Sequence, residues 1–214
     1  MEWIELIIDF IIHIDQHLVE IVSEYGSWVY AILFLIIFAE TGFVVTPFLP
    51  GDSLLFAAGA LAATGAMNPW FLFLLLFIAA VIGDSVNYAI GSYFGMRVFK
   101  EDAKIFKMDY LRKTEGFFEK YGGKTIVIAR FVPIVRTYAP FVAGASSMNY
   151  PRFIFYNIFG GGIWVGIFIL VGYLFGNIPI IKNNFSITVL GIIFLSLIPI
   201  FVELIKARTK TKEV

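Results

Sequence analysis

Apolar positions run along this chain in long blocks rather than in the alternation of strands, and polar residues punctuate the blocks at helical spacing. Trp70 to Ile90, Phe153 to Phe175 and Phe185 to Ile205 each approach the roughly 20 residues that cross a bilayer as a helix. The pattern predicts an all-α membrane protein. Trp28 to Phe38 is apolar for only about half a bilayer before Glu40, and Gly42, Pro47, Pro50, Gly51 and Asp52 follow. Irregular backbone at membrane depth persists only where protein or a wet cavity covers it, so a re-entrant hairpin is expected there. Leu54 to Ala66, rich in small residues that permit close helix contact, reads as its returning arm. A second broken segment, Gly122 to Met148, carries Pro133 and Pro140.

The remaining stretches complete five sections. Residues 1–24 place Glu2, Glu5, Asp9, His13, Gln16 and Glu20 three or four apart, as in an amphipathic helix lying at the interface. Its histidines, His13 and His17, read as solvated rather than as metal ligands. Residues 25–96 hold the first hairpin and a span, on which Asp84, Asn87, Tyr88 and Gly91 share one inward face. Residues 97–121 form a basic amphipathic linker, residues 122–176 the second hairpin and span, and residues 177–214 a last span with a basic tail. Ala58-Gly59-Ala60 resembles Ala143-Gly144-Ala145, and Gly91, Phe94 and Gly95 match Gly172, Phe175 and Gly176. The two halves thus read as an internal repeat.

Charge gives that repeat a direction. No Lys or Arg occurs before Arg97, whereas Arg97 to Lys124 and the tail from Lys206 are basic, so both should be cytoplasmic. Threading the spans from those anchors puts the first hairpin and the N-terminus outside and the second hairpin inside, the arrangement of an inverted-topology repeat. The basic start of a cleaved signal peptide is missing, so the N-terminus is expected to be retained. With no cysteine in the chain, thiol chemistry and disulfides are excluded.

Arg130 and Arg136 then demand an account. A central arginine costs about 2.5–3.5 kcal/mol on insertion scales, so both must face a partner, a wet cavity or an anionic ligand. Six residues put them about 240° apart on a regular helix, and a break at Pro133 lets them converge. If the hairpin tips meet, Glu40 and Asp52 face the two arginines in a neutral group, with Asp84 either joining as a charge partner or capping a backbone group. The planar arginine fork suits phosphate, so Arg130 and Arg136 are the expected phosphate-binding pair. Trp70 and Trp164 read as packing or interface anchors.

These residues resemble the DedA family, also described as SNARE-associated or VTT-domain membrane proteins. The resemblance is carried by Glu40 with Gly42, Pro47-Phe-Leu-Pro50-Gly51-Asp52, Gly83-Asp84 with Tyr88 and Gly91, Phe117-Phe118-Glu-Lys-Tyr121-Gly122, and Arg130-Phe-Val-Pro133 through Arg136-Thr to Ala143-Gly144. Together these cover most of residues 25–176. The resemblance implies a polytopic inner-membrane protein, a role in returning undecaprenyl phosphate to the cytoplasmic leaflet, and functional positions at Glu40, Asp52, Arg130 and Arg136. One departure is Val135 before Arg136, where glycine is common in the family.

The expected activity is therefore polyprenyl-phosphate translocation rather than an enzymatic reaction, with protons as the coupling ion through Glu40, Asp52 and Asp84. No cofactor and no nucleic-acid partner is implied; membrane lipids are the partners, and a homodimer is compatible with the sequence. No nucleotide-binding motif supplies ATP drive. Rival readings are a polyprenyl-pyrophosphate phosphatase, a proton-coupled ion or drug transporter, a general phospholipid scramblase, and an assembly factor without transport. The phosphatase needs an activated nucleophile, and Ser146 and Ser147 lie beyond Arg136 with no evident base.

Overall fold

In the computed structural model the residues described are 25–44, 51–99 and 108–178, with the side chains at 133 and 134 left aside. The expected N-terminal interfacial helix, Pro47 and Pro50, the start of the basic linker and the last span lie outside them. Seven α-helices are found among the described residues, and no strand. They are α1 Ser27–Gly42, α2 Gly51–Ala63, α3 Pro69–Phe94, α4 Met108–Tyr121, α5 Thr125–Ala129, α6 Pro133–Ala145 and α7 Tyr150–Gly176.

Two of these, α3 and α7, have the length and composition to cross a membrane, at 26 and 27 residues, or about 39–40 Å at the helical rise. Their exposed stripes are large and apolar: Trp70, Leu74, Ile78 and Ile82 on α3, and Phe155, Phe159, Ile163 and Ile167 on α7. Four-residue steps keep each stripe on one face. Buried positions of the same helices hold Asp84, Asn87 and Asn157. Apolar outside and polar inside reverses the soluble arrangement, as a lipid solvent requires.

The breaks follow from local chemistry. Asn68 starts α3 by accepting from the backbone N–H groups of Trp70 and Phe71, both at 3.0 Å. Gly95, at φ +67°, ends it in the left-handed region. Proline at position 133 pushes Val132 to an extended conformation (φ −123°, ψ 102°), so α5 stops and α6 restarts with that proline in its first turn. Two expectations are corrected. Helix α1 runs through Glu40 to Gly42 instead of stopping at the acid, because Glu40 is buried and paired rather than solvated. Pro140, expected as a hairpin break, instead sits inside α6, which continues past it with one helical donor fewer. Gly51 opens α2.

The chain divides into two compact units. One takes in residues up to Ala31, Pro50–Leu72 and Phe168 onward; the other takes in Ile32–Leu49 and Phe73–Ile167. In the first, Gly172 lies against the Phe56 backbone and Gly59 against the Ile169 backbone. In the second, Gly91 lies against the Phe141 backbone and Gly144 against the Tyr88 backbone. A Cβ at any of the four would overlap a carbonyl, so only glycine lets these helices touch. Gly91 and Tyr88 precede Gly172 and Ile169 by 81 residues each, and Phe56 and Gly59 precede Phe141 and Gly144 by 85 each. The second unit also holds α4, whose buried Leu111 joins Tyr138, Phe141 and Val142 of α6 in one apolar cluster. Val135, the family departure, is fully buried in a second cluster with Ile126, Ala139 and Phe153.

Candidate functional site

Within the second unit, the turn after α5 and the first turn of α6 deliver two arginines to the polar faces of α1, α3 and α7. Arg130 Nη2 donates to Asp84 Oδ2 at 2.5 Å and to Asn157 Oδ1 at 2.5 Å. Arg136 Nη2 donates to Glu40 Oε1 at 2.6 Å. Side-chain exposure is only 2% and 5% for the first ion pair and 10% and 3% for the second, so both pairs are removed from solvent. Two arginines facing two acids sum to no net charge, the condition for holding ions in a low dielectric.

The indole of Trp164 lies beside both cations. The Arg130 guanidinium carbon is 5.6 Å from the ring centroid and that of Arg136 is 5.2 Å, each within cation–π range. Trp164 is fully buried. It faces the site rather than the lipid, so of its two readings, packing residue or interface anchor, burial fits the first. Gly160 and Gly161, one turn before it, make room: a Cβ at either would press on the Arg130 side chain.

Backbone contacts set the spacing. Gly83 of α3 fits against Thr41 and the Phe38 carbonyl of α1, with no room for a Cβ. Asn87, one turn beyond Asp84, donates through Nδ2 to the Thr41 carbonyl at 3.1 Å and the Thr137 carbonyl at 3.0 Å. Those carbonyls belong to the residues that follow Glu40 and Arg136. Replacing Asn87 by leucine removes both of these bonds and is expected to cost about 1–3 kcal/mol, read as a lower midpoint of thermal unfolding in detergent. Tyr88 donates to the Met148 carbonyl, pinning the turn after α6 in which Ser147 adopts φ +59°.

The expected residues thus fall as follows. Glu40, Asp84, Arg130 and Arg136 come together in one unit, and Asp84 bonds a guanidinium rather than a backbone group. Asp84 accepts from Arg130. Asp52 stands in the first turn of α2, in the other unit. Asn157 and Trp164 were not anticipated, although Asn157, Gly161 and Trp164 sit at i, i+4 and i+7 on one face of an apolar helix. No group of three or more metal-ligating side chains occurs among the described residues.

The VTT domain family model matches residues 49–174. The chain is similar to Protein DedA of Escherichia coli K12, at 56% identity over 97% of this chain and 96% of that protein. An uncharacterised membrane protein of Mycobacterium leprae is 43% identical over 77% of this chain and 74% of its own length. The inner membrane protein YqjA of Escherichia coli K12 is 39% identical over 71% of this chain and 69% of its own length. No solved structure matches the chain.

Proposed function

The chain belongs to the DedA family of VTT-domain membrane proteins, and from that premise we propose that it carries the phosphate head group of a polyprenyl lipid, undecaprenyl phosphate, from the outer to the cytoplasmic leaflet. The observation that carries the proposal is the neutral pair of buried Arg–carboxylate bonds beside one tryptophan, inside a chain whose long helices present apolar stripes. Phosphate competes with carboxylate for the arginine fork, so the head group displaces Glu40 from Arg136 and engages Arg130 alongside. The prenyl tail stays in lipid.

The charge anchors support a multi-pass protein of the bacterial cytoplasmic membrane with its N-terminus outside and its C-terminus inside. Matching glycine crossings in the two units support two inverted repeats, each a re-entrant hairpin followed by a span. A proton on Glu40 or Asp84 frees an arginine and couples uptake of the anion to proton entry. Each carboxylate of the cluster is bonded to an arginine, and no serine, cysteine or histidine is among its described members, which favours transport over phosphatase chemistry.

The deciding experiment reconstitutes the full chain in vesicles with labelled undecaprenyl phosphate and follows its accessibility in the outer leaflet. Loss of outer-leaflet label that accelerates under an inward proton gradient, and stops in Arg136→Gln, is the expected result. Equal rates in protein-free vesicles overturn the transport reading, release of inorganic phosphate from the pyrophosphate form replaces it with the phosphatase, and rates indifferent to the gradient remove the proton.

A further inference from the structure

We infer that Asn157 and Trp164 are positioning residues of the phosphate site, holding the Arg130 charge in place while leaving most of its donor fork open to a phosphate monoester. The inference rests on the phosphate reading above and adds how the site stays ready for its ligand. A guanidinium has five N–H donors on three nitrogens. Asp84 and Asn157 both accept from one nitrogen, Nη2. The Nε and Nη1 donors are buried with no partner among the described residues, on an arginine only 3% exposed. Buried charged donors left unpaired are costly, and a phosphate group answers them with several oxygens in matching geometry.

What keeps such a cation in place must not use up its donors. Asn157 meets that condition because it is neutral and its orientation is fixed: Nδ2 donates to the Val81 carbonyl at 3.0 Å, which turns Oδ1 toward Arg130. A carboxylate at the same point would add a second negative charge and compete with the ligand. Trp164 meets the condition differently, by stabilising both guanidiniums through its ring rather than through hydrogen-bond acceptors. Gly160 and Gly161 let the Arg130 side chain lie close to the backbone of α7.

The test measures thermal stabilisation of the purified full chain by dodecyl phosphate, with dodecyl sulfate-free detergent and inorganic sulfate as the control anion. Affinity is expected to fall in the order unaltered protein, Asn157→Leu, Asn157→Asp, with the last weaker by about tenfold or more because the added charge opposes the anion. Trp164→Phe is expected to stay within about threefold of the unaltered protein and Trp164→Leu to lose about tenfold. A purely structural role lowers the unliganded melting temperature without moving affinity. Unchanged affinity in Asn157→Asp and Trp164→Leu, alongside lost binding in Arg130→Gln, overturns the positioning role alone. Absence of any shift with dodecyl phosphate in the unaltered protein overturns the phosphate reading itself. Should Trp164→Leu not fold, the order among the Asn157 variants decides.

Discussion

Replacing Arg130 by glutamine is expected to lower stability by about 3–5 kcal/mol and to abolish transport, because it leaves Asp84 buried and charged with its cation gone. Asp84 is 3% exposed and bonds Arg130 at 2.5 Å, so the stranded carboxylate has no route to solvent without opening the helices. The double variant Asp84→Asn with Arg130→Gln removes both charges and should recover most of the stability while transport stays lost. Thermal unfolding in detergent measures the first quantity and vesicle transport the second, and the cycle between single and double variants isolates the coupling. If the single variant melts with the unaltered protein, the ion pair is not what holds α3 to the turn between α5 and α6.

The second large effect is expected at the helix crossings. Gly91→Ala drives a Cβ into the Phe141 carbonyl, and Gly172→Ala does the same at the Phe56 carbonyl. Backbones that must separate lose their packing over several turns, so each variant should cost about 1–3 kcal/mol or more. Gly116→Ala on α4 meets nothing within 4 Å and should instead stabilise by about 0.5–1 kcal/mol through helix propensity. Opposite signs from the same chemical change, read as melting temperatures, separate close approach from backbone freedom. Equal effects at Gly91 and Gly172 would also support the internal repeat; a shift at one crossing only would speak against it.

Much of the site was legible because charge in an apolar segment is expensive and therefore conspicuous. Glu40, Arg130 and Arg136 announce themselves that way, and Pro133 announces the restart that turns Arg136 toward α1. Which acid meets which arginine was not legible, since Asp84 and Arg130 are 46 residues apart and local periodicity says only that Asp84 faces inward. Asn157 and Trp164 were obscured for another reason. A lone amide or indole in a long apolar helix resembles any packing residue, and its role depends on what α3 and the second hairpin bring against it. Pro140 misled because a single missing helical donor does not end α6, which also offers an acceptor to an amide on α3.

That amide belongs to Asn87, and it imposes an all-or-none character on the site. One nitrogen grips two chain segments, at the carbonyls of Thr41 and Thr137, immediately after the acid and the cation of the second ion pair. Any drift of α1 away from α6 at this level surrenders at least one of the two grips within a fraction of an ångström. Intermediate gaps, too wide for the amide yet too narrow to admit water, gain nothing in return. The jaws of this ion pair should therefore be found shut or fully parted, with little time spent ajar.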